Sequence, residues 1–469
     1  MLKKLKEGHW PIFLLSSISS FTNLFLPIIL VRLLSTEDIG FYKIFFIHMS
    51  AIPFIFLLGG PIHSVYYWVG KPETERMKYV QSSWWLTALL SLLVMLIGFP
   101  LAGLISKWLD FPLKYTLLFI FSGALPLVSS HFGESTIALG NRIKGSLFQT
   151  FFEVAKAISF IFIAWKTRDI GYVFISYATI YSIKFLASTL IGLKDGTMSL
   201  NFDKKRLVEV WSYCLPISVS GLLGFFVDKI DLLLLSSYLS AENFAFYSMG
   251  CLVIPPLIIL DMSVQKVLIP KLSDQFHKSE FKVAGEHFRK AVSDTGFLII
   301  PAIFGLIFFA EPIVTLLYTE KYLSSALYLK IFAIGYLQYI IPHDAVPRAT
   351  GNSGWILKIY LFTTPISLIG VYFAVKTGRA DLALATAIAL KFLPKLFGIL
   401  YSKNLMNWSW GEVFPYLRIL IYAAVSLGLS LISLSLKPLF SSGLVWFLVC
   451  APLFAIIYLS TLYKLRSRL

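Results

Sequence analysis

From one end of this chain to the other, apolar stretches about twenty residues long recur, each closed by a short loop that in most cases carries lysine or arginine. A helix of that length just crosses the hydrocarbon core of a bilayer, and only helices or closed barrels cross it with every backbone group paired. To within about 2–4 residues at each end, the spans read as 9–34, 40–66, 81–106, 113–138, 143–165, 170–193, 210–237, 243–268, 289–318, 323–347, 354–376, 381–402, 413–436 and 442–463. The pair 40–66 and 81–106 and the region 323–347 have the least distinct bounds. The expected fold is all-α integral membrane with about 14 spanning helices, and no loop is long enough for a catalytic domain. Composition agrees: 57% of the 469 residues are hydrophobic and 14% are charged, against about 25% charged in soluble domains.

The basic start, with Lys3, Lys4 and Lys6, precedes an apolar run that is too long for a signal peptide and lacks a small-residue cleavage site. It reads as a retained first span. With the N-terminus inside, the inner loops and termini hold roughly 23 Lys and Arg against 8 outside. That positive-inside bias puts both termini in the cytoplasm and requires an even number of spans. It also accounts for the net charge of +16 without a nucleic-acid partner. Cys214, Cys251 and Cys450 lie in apolar runs without metal-ligand or Cys-x-x-Cys spacing. The stretch Lys271–Lys290 alternates Phe276, Phe281 and Phe288 with charges, and reads as an amphipathic helix on the inner surface or as a solvated linker.

An internal repeat is present. The segment from Leu34 to Tyr42 (LSTEDIGFY) matches that from Leu239 to Tyr247 (LSAENFAFY) at an offset of about 205 residues. Ala138 to Asn141 matches Ala349 to Asn352, and Ala178-Thr179 with Lys184 to Leu186 matches Ala385-Thr386 with Lys391 to Leu393. Six spans separate the mates, so the halves run in the same sense, as parallel repeats expected to form two lobes around a central cavity. The expected domains are an N-terminal six-helix lobe (1–200), a C-terminal six-helix lobe (201–405) and two additional helices (406–469).

Ionisable groups at bilayer depth cost at least about 2.5–3.5 kcal/mol and need a partner or a wet cavity. The repeat mates Lys184 and Lys391 sit halfway along their helices, with Lys395 one turn beyond Lys391. They either flank a cavity or snorkel to the headgroups. The seventh span carries Asp228, Lys229 and Asp231, as a cavity group or a local ion pair, and Asn23 is the mate of Asp228. His131 and Glu134 share a face of the fourth span, and His343, Asp344 and Arg348 occupy the corresponding region of the tenth. A carboxylate beside a histidine exchanges protons near neutral pH, so these are either a coupling site or a structural network. Glu153 and Lys156, one turn apart, read as an internal pair; Asp261, Lys266 and His63 complete the set. The cationic lean, through Lys184, Lys391, Lys395, Lys229, Lys266 and Arg348, suits a substrate bearing phosphate or carboxylate. The chain has no phosphate-binding loop and no hydrolase or dinucleotide motif, so it reads as a transporter without a cofactor, not as an enzyme.

The segment from Leu33 to Tyr42, and the stretch from Asp228 to Ser240 followed by Phe246-Tyr247, resemble the corresponding segments of bacterial polysaccharide-export flippases. Those belong to the multidrug/oligosaccharidyl-lipid/polysaccharide exporter superfamily, and the likeness extends to the layout of six, six and two helices. The resemblance implies a carrier that moves undecaprenyl-diphosphate-linked oligosaccharides, such as O-antigen units, across the bacterial inner membrane by alternating access. It implies H+ or Na+ as coupling ion, membrane lipids and glycan polymerase machinery as partners, and a monomer. The arginine-rich first helix of the related lipid II flippases is absent here, where helix 1 offers Asn23 and Arg32. Two other readings stand beside this one: an ion-coupled multidrug exporter of the same superfamily, and a polytopic glycan polymerase or ligase.

Overall fold

The computed structural model describes residues 10–57, 59–68 and 72–466, and all regular structure among them is helical. In chain order the helices are α1 (Trp10–Leu33), α2 (Thr36–Ile55), α3 (Gly59–Trp68), α4 (Glu73–Trp108), α5 (Leu113–Ala138), α6 (Arg142–Thr167), α7 (Ile170–Lys194), α8 (Lys204–Tyr238), α9 (Ala241–Gly250) and α10 (Pro255–His277). They continue as α11 (Phe281–Phe308), α12 (Ala310–Tyr318), α13 (Ser325–Ile334), α14 (Ala345–Ala349), α15 (Ser353–Lys376), α16 (Ala380–Met406), α17 (Trp410–Val413), α18 (Tyr416–Leu436) and α19 (Gly443–Arg466). By length and composition thirteen helices can cross a membrane, or fourteen when the bent pair α9–α10 counts as one span. The chain is an all-helical, multi-pass membrane protein.

The chain divides into two compact units, one of Met1–Phe225 with Leu235–Ala245 and the other of Phe226–Leu234 with Phe246–Leu469. The division falls inside α8, and α18 and α19 belong to the second unit. There Trp446 Nε1 donates to the Ser433 carbonyl (2.6 Å) and packs on Phe309, while Tyr458 OH donates to the Phe297 carbonyl (2.8 Å).

The repeated motif proves to be a helix start. Ser35 Oγ accepts from the Asp38 amide (3.0 Å) at the head of α2, and Ser240 Oγ accepts from the Asn243 amide (3.3 Å) at the head of α9. Each hydroxyl satisfies one amide that a helix N-terminus leaves unpaired, and the acidic residues just after it complement the helix dipole.

Several expected spans are built differently. The stretch 40–66 is divided between α2 and α3; α2 ends where Leu57 takes a left-handed conformation (φ 56°), and Ser218 Oγ donates to the Leu57 carbonyl (3.2 Å). The stretch 323–347 is α13, a 3-10 turn over Gly335–Ile340 and the short α14. At 36 residues α4 is about 54 Å long at ~1.5 Å per residue, more than the ~30 Å hydrocarbon core requires. Its polar start meets that of α8, where Tyr79 OH donates to Glu209 (2.6 Å). The stretch Lys271–Lys290 is not a separate surface helix. It is the end of α10 and the beginning of α11, and Phe288 is buried against Trp408.

The bend between α9 and α10, 48°, has an identifiable cause. Pro255 and Pro256 supply no amide hydrogen to continue a helix through 251–254. Tyr336 closes the gap: its hydroxyl accepts from the Ile254 amide (2.7 Å) and donates to the Leu252 carbonyl (2.8 Å). Tyr336→Phe removes both bonds without changing shape. Each buried backbone group left without a partner costs about 1–3 kcal/mol, so the variant should melt at a lower temperature in detergent; an unchanged melting temperature would remove Tyr336 from this role.

Candidate functional site

Within the first unit a polar seam joins α1 to α6. Ser19 and Asn23 lie one turn apart on α1, and Thr150, Glu153 and Lys156 recur at helical spacing on α6. Ser19 Oγ donates to Thr150 Oγ1 (3.3 Å), whose own hydroxyl donates to the Leu15 carbonyl (3.1 Å). Deeper along the seam, Glu153 Oε2 accepts from Lys156 Nζ (2.5 Å) and from Asn23 Nδ2 (3.3 Å), and Glu153 Oε1 accepts from Tyr181 OH (2.7 Å). Asn23 Oδ1 in turn accepts from Lys156 Nζ (3.0 Å). One turn beyond Tyr181 on α7 stands Lys184, 3% exposed, its ammonium 5.1 Å from the centre of the Tyr181 ring. Lys184 forms no hydrogen bond or ion pair with the described residues. Glu153 is thus ion-paired with Lys156, while Lys184 lies within electrostatic reach of Glu153 and of Glu134 without bonding to either.

His131 and Glu134 are on one helix but form neither a hydrogen bond nor an ion pair with each other. His131 Nδ1 pairs with Ser135 Oγ (3.1 Å), and its buried Nε2 has no partner among the described residues. Glu134 accepts from Tyr66 OH (2.6 Å) and Gln149 Nε2 (3.0 Å). The expected proton-exchanging pair is thus not formed here. His63 and Lys266 lie in α3 and α10, with side chains outside the described residues.

In the second unit Lys391 Nζ donates to the Asp228 carbonyl (2.8 Å), so the carboxylate of Asp228 is not its partner. Asp231, 2% exposed, accepts from Tyr247 OH (2.5 Å), and Lys229 forms no ion pair with either aspartate. The local pair among Asp228, Lys229 and Asp231 does not form. Asp344 binds Arg348 (2.7 Å), not His343, whose Nδ1 lies 3.7 Å from Asp344 Oδ1 and 3.1 Å from Lys395 Nζ. With Lys395 as the ammonium, Nδ1 is the acceptor of that bond. Asp261 accepts from Gln265 (2.9 Å) and is within electrostatic reach of Lys395, Asp344 and Arg348. Asp228 is also within electrostatic reach of Lys395.

The side chains that complete these clusters, Tyr66, Gln149, Tyr181 and Tyr247, are uncharged and were not among the sequence candidates. Gln149 stands one turn before Glu153, and Tyr181 one turn before Lys184, so helical spacing pointed to both. Nothing local pointed to Tyr66 or Tyr247. Among the described residues no group of three or more His, Cys, Asp or Glu is placed to hold a metal ion.

The chain thus combines membrane-length helices in two compact units with ionisable clusters buried inside each. A solved structure titled lipid II flippase MurJ, in an inward closed conformation, superposes with a TM-score of 0.76 at 16% identity, over 97% of this chain and 98% of that one. An inward-facing multidrug resistance transporter of the MATE family and MOP superfamily gives 0.64 at 14% identity, over 83% and 94%. The chain therefore shares its fold with these two proteins. A family profile described as polysaccharide biosynthesis protein matches residues 29–327, more than half of the chain, and the chain belongs to that family. The probable low-salt glycan biosynthesis flippase Agl15 of Haloferax volcanii is 21% identical over 248 residues, 49% of this chain and 52% of that protein. The match spans about half the length of that curated relative.

The pair at the centre of the seam can be tested directly. Removing one partner of a buried ion pair costs about 3–5 kcal/mol, whereas replacing both with apolar groups is often neutral. Lys156→Met should markedly lower the melting temperature, and adding Glu153→Leu should recover most of the loss; a double variant no more stable than Lys156→Met alone would show that the two do not act as a pair.

Proposed function

We propose that this protein carries an undecaprenyl-diphosphate-linked oligosaccharide, of the O-antigen repeat-unit class, from the cytoplasmic to the outer leaflet of a bacterial inner membrane by alternating access. Family membership supports a role in polysaccharide biosynthesis. The observation that carries the substrate class is Lys184: a buried ammonium that forms no ion pair or hydrogen bond with the described residues, beside an ion pair that is already complete. Such a charge is expensive at membrane depth and is stabilised when an anion arrives, and a diphosphate brings several acceptor oxygens. In this reading the repeat halves, 1–200 and 201–405, are the functional lobes, 406–469 is an addition to them, and H+ or Na+ supplies the driving force.

Deletion of the gene should cause complete lipid-linked oligosaccharides to accumulate on the cytoplasmic leaflet while surface glycan is lost. Normal glycan without accumulation, in a strain with no second flippase gene, would reject the reading and direct attention to drug export. Complementation with Lys184→Met isolates the charge. Hydrogen bonds to charged groups contribute about 1.5–3 kcal/mol, so transport should fall by roughly 10- to 100-fold. Folded protein should stay at the wild-type level, because Lys184 has no hydrogen bond to lose; full transport in this variant would remove Lys184 from the site.

A further inference from the structure

At the end of the first unit where α5 turns into α6 lies an open pocket of about 380 Å³, lined by Ser16, Tyr66, Glu134, Arg142, Ser146 and Gln149 with Ile137 and Ala138. That volume falls in the ordinary range of small-molecule sites, about 300–1,000 Å³. Close packing of two helices forms its wall. A Cβ on Gly145 would come 2.6 Å from the Gly133 carbonyl oxygen, and one on Gly133 2.6 Å from Gln149 Nε2, so only glycine lets α5 and α6 approach this closely and set Gln149 over Glu134.

The lining is a balanced mixture of donors and acceptors. Glu134 uses one lone pair on each oxygen, for Tyr66 and for Gln149, and keeps the others. Gln149 retains a second N–H and a carbonyl oxygen that binds none of the described residues. Ser146 is 5% exposed, and its hydroxyl is buried without a partner. Tyr66 presents a half-exposed ring with an apolar face and a polar tip. The formal charges, one carboxylate and one guanidinium, cancel. A free anion would meet the Glu134 carboxylate and a lipophilic cation the Arg142 guanidinium, so neither is the favoured occupant. A neutral, hydroxyl-rich ring suits the set: its hydroxyls both donate and accept, and its apolar face can lie against Tyr66.

We propose that this pocket is a sugar subsite, which holds one uncharged pyranose ring of the glycan while the cationic cluster around Lys184 attends to the phosphates. The proposal rests on the flippase reading and adds the element that distinguishes one glycan from another. Its chemistry differs from that at Lys184, because it involves hydrogen bonds to hydroxyl groups and contact with a ring face, although Glu134 is within electrostatic reach of Lys184.

The test is a binding comparison with the full-length protein in lipid nanodiscs and two probes: bare undecaprenyl diphosphate, and the lipid-linked oligosaccharide extracted from the source cells. Wild-type protein should hold the glycan-bearing lipid at least ~10-fold more tightly than the bare lipid. Ser146→Ala and Gln149→Leu should each shrink that preference several-fold without weakening binding of the bare lipid. Ser146→Ala guards against misfolding, since its hydroxyl has no partner to lose. Equal affinity of the wild type for both lipids, or a preference that survives in both variants, would overturn the subsite and leave the flippase reading standing. Binding of neither probe above that of phosphatidylglycerol would overturn the flippase reading and the subsite with it.

Discussion

Hydrocarbon offers a polar group nothing to bond to, and most of the irregular features of this protein follow from that. Where a helix is broken, the freed backbone groups must find partners within the protein. Tyr336 serves both sides of the break at 251–254, and Ser218 serves the carbonyl at Leu57. Arginine at a helix end behaves in the same way: Arg32 turns back to the Ile28 carbonyl of its own helix. The buried ionised groups are subject to the same demand. Glu153 is tolerated because Lys156, Asn23 and Tyr181 together supply donors to both of its oxygens.

This demand also decides which parts of the structure were legible in the sequence. Span number and approximate position depend on length and apolarity, which are local, and they could be read directly. The breaks depend on partners far away in the chain. Pro255 and Pro256 are visible as helix starts, but that Tyr336 makes an irregular 251–254 affordable is a tertiary fact. The segment Lys271–Lys290 departs from the surface-helix expectation because its charges resemble an interface, whereas they lie on the adjoining ends of two helices and the turn between them. His131 and Glu134 failed as a pair for a geometric reason. Residues three apart on a helix point about 60° away from each other, enough for His131 to turn inward to Ser135 while Glu134 reaches Tyr66 and Gln149.

The repeat shows what duplication retained. The capping serines, Ser35 and Ser240, do the same work in both copies, since every helix start leaves the same amides unpaired. The ionisable mates do not. Lys184 is buried against a tyrosine, while Lys391 donates to a backbone carbonyl; Asn23 joins an ion pair, while the side chain of Asp228, its mate, does not accept from Lys391. Matching positions in the sequence thus share helix starts but not the same side-chain chemistry.

That asymmetry bears on where substrate chemistry resides. In the second unit the cations are bonded: Arg348 to Asp344 and Lys395 to His343, with Asp261 and Asp228 within electrostatic reach of Lys395. In the first unit Lys156 holds Glu153 in an ion pair, and Lys184 feels Glu153 and Glu134 only at a distance, with no bond to either. At membrane depth the remaining charge costs at least about 2.5–3.5 kcal/mol, a large fraction of the 5–15 kcal/mol by which folded proteins are stable. Methionine at position 184 would fill similar space without that cost, and no bond within the protein would be lost. A lysine under those conditions does little for the fold, which is what the proposed role in meeting an anionic substrate requires.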